Sequence, residues 1–275
     1  MILRLPVASS REGHDQEPIA LTDENTTNDI DAAESTPTPV VISWSGGKDC
    51  ALALHELRSD PRYHVVALMT LVSEEYRRVS HHGVREELLE AQAEAIGLPL
   101  TKIYLPSGNQ KPCTNEMYEE IMARVMNAFR SRGIFAVGFG DLFLEDLRAW
   151  REANLAKAGM TGVFPIWKRD TRQVARQQIA MGFKAILSCV EGKVGHGFAG
   201  RAYDGRLLDD LPPGIDPCGE YGEFHTFVHD GPCFGRPVPV TIGDTVTRDG
   251  RHYADLLLAR SATSSNCTAD DIPPV

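Results

Sequence analysis

The chain has 275 residues, 42% of them apolar and 24% charged, enough to bury a full core in one large domain or two modest ones. Its net charge of −10 argues against a dedicated nucleic-acid binder, and neither a run of about 18 apolar residues nor a basic-then-apolar leader is visible, so no membrane or export is expected and cytoplasm is the default. Six cysteines, Cys50, Cys113, Cys189, Cys218, Cys233 and Cys267, stand far apart with no CxxC pair, which fits free thiols rather than a disulfide framework.

Residues 1–38 carry eight acids against Arg4 and Arg11, with Thr and Pro punctuation and few aromatics. Such a stretch cannot bury enough apolar surface to offset its ordering entropy and reads as a disordered acidic tail. Apolar runs of strand length then alternate with helical patterns, the signature of βαβ units around a parallel sheet. Val40 to Trp44 reads as a buried strand, Lys48 to Arg58 as a helix, Val65 to Thr70 as a strand, and Arg85 to Ile96 as a helix stopped by Gly97 and Pro99. Lys102 to Leu105 is a third strand, Asn115 to Arg132 a long amphipathic helix, Ile134 to Val137 a fourth strand, and Leu144 to Ala158 a helix closed by Gly159. Gly162 to Trp167 and Lys184 to Val190 read as strands flanking a helix from Thr171 to Met181, after which the Pro-rich stretch beyond Leu211 breaks the rhythm. The expected division is therefore a nucleotide-sized α/β domain over 39–159, a smaller α/β subdomain over 160–260 and a flexible tail over 261–275.

The most informative segment is Ser45-Gly46-Gly47-Lys48-Asp49-Cys50, placed where the first strand ends and the first helix begins. Two adjacent glycines allow a tight turn whose N–H groups face an anion, and the helix N-terminus adds positive potential. Lys48 would bring a point charge to phosphates, and Asp49 would hold a magnesium ion bridging phosphate oxygens. The spacing is not that of a Walker A loop. Asp141, at the end of the fourth strand, lies at the carboxyl edge where open α/β sheets bind ligands. It is a candidate second magnesium or substrate contact, or a helix N-terminal acid favoured by the dipole. Further on, Glu220 and Glu223 are flanked by Gly219 and Gly222, so two carboxylates can approach a ligand closely and grip a cation or take a proton.

Ser-Gly-Gly-Lys-Asp followed by a small residue resembles the pyrophosphatase loop of PP-loop ATPases, with Cys50 standing where that family usually has Ser. The resemblance implies a HUP-like (adenine nucleotide alpha hydrolase-like) parallel-sheet domain, ATP and Mg2+ as cofactors, and adenine held by backbone near Leu68, Met69 and Thr70. Gly140 to Arg148, Phe164-Pro165-Ile166-Trp167, and Asp216-Pro217-Cys218-Gly219-Glu220-Tyr221-Gly222-Glu223-Phe224-His225-Thr226 are further similar to the diphthine:ammonia ligase family, above all its bacterial branch. That resemblance implies ATP-dependent amidation of a small-molecule or protein carboxylate by ammonia or an amine, through an acyl-adenylate, giving AMP and pyrophosphate. Lys48, Asp49, Glu220 and Glu223 are then the catalytic candidates, and Ser45, Gly46, Gly47, Lys48, Asp49, Cys50, Met69 and Thr70 the nucleotide contacts. A tRNA-modifying PP-loop enzyme and a non-catalytic adenine-nucleotide-binding module are the alternatives. Replacing Lys48 with Ala is expected to abolish pyrophosphate release and to leave the fold intact. The Gly195 to Gly200 match to GxGxxG lacks the strand and helix of a dinucleotide site, and Cys218, His225, His229 and Cys233 follow no familiar zinc spacing. His81 and His82 precede Gly83 in a loop that either folds over the nucleotide or forms plain surface.

Overall fold

The computed structural model describes residues 36–80, 82–107 and 113–259. The tails read from the sequence fall outside these residues, apart from the end of the acidic one, and so does His81. Five strands form the first sheet: β1 (Thr38–Ser43), β2 (Tyr63–Ser73), β3 (Leu100–Leu105), β4 (Ala136–Gly138) and β5 (Thr161–Val163). All pair in parallel, in the order β3-β2-β1-β4-β5. Between them run α1 (Lys48–Ser59), α2 (Glu86–Ile96), α3 (Asn115–Arg130) and α4 (Glu145–Lys157). The connections place α1 and α2 on one face and α3 and α4 on the other, the arrangement that right-handed crossovers produce in this strand order. The side chains of β1 divide accordingly: Val40 and Ile42 join the α1/α2 core, and Val41 joins Met126, Phe129 and Leu155 on the far side. Strand order reverses between β1 and β4, which is where a sheet of this kind opens a crevice beyond its carboxyl edge.

The second sheet is antiparallel, in the order β7-β6-β9-β8, and is built from β6 (Lys184–Glu191), β7 (Phe224–Asp230), β8 (Val240–Arg248) and β9 (Arg251–Leu258). Helices α5 (Thr171–Ala180) and α6 (Gly205–Asp210) accompany it. Asp170 caps α5 by accepting from the Gln173 N–H at 2.9 Å, and Asp204 caps α6 by accepting from the Leu207 N–H at 2.9 Å.

Two expectations change. The strand read from Gly162 to Trp167 is the shorter β5, and it extends the first sheet as a fifth strand rather than opening the second subdomain. Pro165 has no N–H to continue a ladder, and the chain turns at Phe164 to Trp167 instead. Strand β2 runs on three residues past Thr70, because Leu71 to Ser73 still pair with Ile103 to Leu105. The described cysteines are all free, and no helix among the described residues is long and apolar enough to cross a membrane.

A glycine loop closed by a glutamate motif

The loop Ser45–Gly47 leaves the carboxyl end of β1 and enters α1 with Gly46 at φ +80°, a conformation that glycine adopts without strain. Its backbone is held from several sides. The Gly47 N–H donates to Ser45 Oγ at 3.3 Å, and the Val228 N–H of β7 donates to the Gly46 carbonyl at 2.9 Å. The Lys48 N–H donates to Thr226 Oγ1 at 3.1 Å. Gly140, after β4, lies so close that a Cβ there would stand 2.6 Å from the Asp49 carbonyl carbon, so only glycine lets the β4–α4 loop approach the start of α1. Cys50 turns its thiol back into the loop, donating to the Gly47 carbonyl at 3.0 Å, and burial pushes that thiol's pKa up.

The glutamate motif and the loop, far apart in sequence, meet here. Lys48 is only 2% exposed; its Nζ donates to Asp49 Oδ2 at 2.6 Å and to the Cys218 carbonyl, and lies 5.3 Å and 5.7 Å from the ring centres of Tyr203 and Phe224. Burial pulls the Lys48 pKa down, but Asp49, Cys218 and Glu220 outweigh it, so the ammonium is held above the ordinary lysine value. Asp49 Oδ1 accepts from Gln178 Nε2 of α5 at 2.9 Å, while Gln178 Oε1 has no partner among the described residues. Glu220 Oε1 accepts the N–H groups of Leu142 at 2.8 Å and Phe143 at 3.3 Å, tying the motif to the β4–α4 loop. Burial, then the charge of Asp49, pushes the Glu220 carboxyl up to about 7. Glu223 is 1% exposed, accepts the Asp216 N–H at 3.2 Å through Oε1, and keeps Oε2 unbonded among the described residues.

A cavity of about 510 Å³ opens on the other face of the sheet, between the carboxyl ends of β1, β2 and β4 and helices α3 and α4. Ser43, Met69, Leu71, Val137 and Phe139 form its floor. Strand alternation separates the two residues read as adenine contacts: Met69 lines this cavity, and Thr70 is buried on the opposite face, its hydroxyl without a partner among the described residues. The Met69 carbonyl already accepts the Trp44 N–H at 2.7 Å. Asp141, read as a metal or substrate contact or a helix N-terminal acid, is ion-paired in this structure. Both its oxygens are taken by Arg151 of α4, at 2.6 Å and 3.2 Å, an ion pair that shapes the cavity wall through Arg151.

Two family models match this sequence in tandem: the diphthamide synthase N-terminal domain over residues 38–161 and the diphthamide synthase C-terminal domain over residues 170–255, together well over half of the chain. The chain belongs to the diphthamide synthase family. Among curated relatives, the diphthine–ammonia ligase of Bos taurus is 25% identical over 266 residues, covering 83% of this chain and 96% of that protein. The Mus musculus protein of the same name is 24% identical, covering 78% and 88%. A solved U34-tRNA thiolase from Methanococcus maripaludis aligns at 11% identity and a TM-score of 0.35 over 56% of this chain and 60% of that one, too slight a likeness to bear on fold or activity.

Within this family member the sequence reading found the loop and both glutamates but missed Gln92, Gln178 and Tyr203, and gave Thr226 no role of its own. Thr226 stood in a quoted motif. Gln92 and Gln178 carried only the weak signal of a polar residue on the apolar face of a helix. His82, left open between nucleotide cover and surface, lies over the loop, its Cε1 3.1 Å from where a Gly47 Cβ would stand, its Nδ1 3.3 Å from the Thr226 carbonyl and its ring 4.4 Å from that of His225.

Proposed function

We propose that this protein is an ATP-dependent ligase that splits ATP to AMP and pyrophosphate and joins a carboxylate, of a small molecule or a protein, to ammonia or another amine. One observation carries the reading: the glutamate motif and the strand β7 that continues it are bonded directly onto the glycine loop, through Thr226 to Lys48, Val228 to Gly46 and Cys218 to Lys48. Groups suited to phosphate and groups suited to a cationic or protonated partner thus share one site. The names of the curated relatives supply the reaction class.

Each residue has a share in that chemistry. The Gly47 N–H and the α1 N-terminus favour an anion beyond the end of β1. Lys48, kept charged by Asp49, would stabilise negative charge on the leaving pyrophosphate. Glu220, with its carboxyl near neutrality, would take a proton from the attacking amine, and the buried Glu223 would orient the acceptor. The cavity beside Met69 has the volume of a small-ligand site, and its apolar floor suits an adenine ring. The residues present do not make a ready metal site. Asp49 and Asp141 each have both oxygens committed, and no group of three metal-binding side chains gathers among the described residues. Magnesium enters this reading only as the ion carried on the nucleotide's phosphates, with no step assigned to it.

The base-binding part is tested by filling the cavity. Ala123 of α3 lines it, and Ala123→Phe should weaken ATP binding by at least about tenfold, measured by titration calorimetry, while pyrophosphate binds as before. Unchanged ATP affinity in a folded variant would place the base elsewhere.

A further inference from the structure

The glycine loop is held by a side chain from outside both motifs. Gln92 of α2 is completely buried. Its Oε1 accepts the Trp44 indole N–H at 2.9 Å, and its Nε2 donates to the Gly46 carbonyl at 3.0 Å and to the Val228 carbonyl. The amide's acceptor and both its donors are therefore used, each on a different segment: the exit of β1, the loop and β7. The Gly46 carbonyl receives a second donor, the Val228 N–H at 2.9 Å. A peptide unit is planar and trans, so a carbonyl drawn toward Gln92 and Val228 turns the N–H of the same peptide, that of Gly47, the opposite way. There that N–H has only a 3.3 Å contact with Ser45 Oγ, a long bond that an incoming anion can replace. Close fit enforces the arrangement, since a Cβ on Gly46 would stand 2.8 Å from Gln92 Oε1.

We infer that Gln92 is a positioning residue for this site: together with β7 it fixes the Gly46–Gly47 peptide so that the Gly47 N–H faces the phosphate chain of the nucleotide. The inference rests on the nucleotide reading given above and adds that the second sheet helps to set the loop's binding geometry. A side chain that merely stabilised the fold would alter every ligand's affinity alike. A peptide-orienting side chain acts only on ligands that carry phosphate.

The test uses the full chain, with ATP, inorganic pyrophosphate and adenosine titrated separately. Gln92→Met keeps the length and volume of the side chain but loses all three hydrogen bonds. Gln92→Glu keeps the acceptor for Trp44 and sets a carboxylate against two carbonyls. Both variants should bind ATP and pyrophosphate at least about tenfold more weakly and adenosine within about twofold of the wild type. Equal losses for adenosine and ATP, or no loss in a folded variant, would overturn the role of Gln92 while leaving the nucleotide site standing. Wild-type protein that binds neither ATP nor pyrophosphate would remove the site reading and this role together. Thermal unfolding identifies which variants are folded, and should Gln92→Met fail, Gln92→Glu carries the comparison.

Discussion

Lys48→Met should lower AMP formation by about a hundred- to a thousandfold, the scale expected when one preorganised charge is removed from a site of developing negative charge. The structure adds a second expectation that the sequence did not suggest. Lys48 ties the loop to the motif through the Cys218 carbonyl and sits over Tyr203 and Phe224. Its loss leaves Asp49 Oδ2 and that carbonyl without their donor, while Asp49 Oδ1 keeps Gln178. Breaking a buried pair costs about 3–5 kcal/mol, and the partial exposure of Asp49 brings this to roughly 2 kcal/mol. The variant should therefore unfold at lower urea as well as turn over slowly, and the sequence-level expectation of an intact fold becomes one of a weakened fold. Activity is best compared at low temperature, where the variant stays folded. Wild-type turnover in Lys48→Met would remove the residue from the mechanism.

Glu220→Gln should separate ionisation from packing. The native carboxyl is pushed up to about 7, chiefly by burial and then by Asp49, against about 4.5 in the unfolded chain. A folded-state value above the unfolded one means the native protein binds the extra proton between those limits. That contribution is complete below about pH 4.5 and is lost as pH rises through about 7. Wild-type stability should thus fall by about 1–3 kcal/mol across that window. Glutamine still accepts the Leu142 and Phe143 N–H groups but cannot ionise, so the variant should match the wild type near pH 5 and exceed it near pH 8. Urea midpoints at several pH values measure this, and parallel profiles would show that Glu220 does not titrate in the window. If Glu220 is the general base, amine-dependent turnover should fall by about two to four orders of magnitude in the same variant.

The parts of this molecule that were legible in the sequence are those governed by local rules. Val40-Val41-Ile42 is a continuous apolar run because β1 is buried on both faces there, and Gly46-Gly47 marks a turn that needs a positive φ. The antiparallel half was harder to read. Asp249-Gly250 between alternating runs is a two-residue hairpin signal, and both residues do have positive φ, yet the Pro-rich stretch before it obscured the strands. The site was legible in its motifs and illegible in its supports. Gln92 reaches Gly46 across 46 residues, Gln178 reaches Asp49 across 129, and Thr226 reaches Lys48 across 178. No local pattern encodes such contacts, because the first exists only once α2 has packed beside the loop and the other two only once the two sheets have come together. The partner of Asp141 was illegible for a related reason: an acid at a strand's carboxyl edge suits a ligand, and Arg151, which bonds both its oxygens, lies further along the next helix.

The central claim is that loop and glutamate motif form one adenylating site. ATP labelled at the α-phosphate, incubated with the protein, magnesium, ammonium and a cell extract that retains its macromolecules, tests it most directly, with Lys48→Met run alongside. The expected result is labelled AMP, dependent on the extract and reduced at least a hundredfold in the variant. Labelled ADP as the product, or no AMP from wild-type protein with the complete extract, would contradict it.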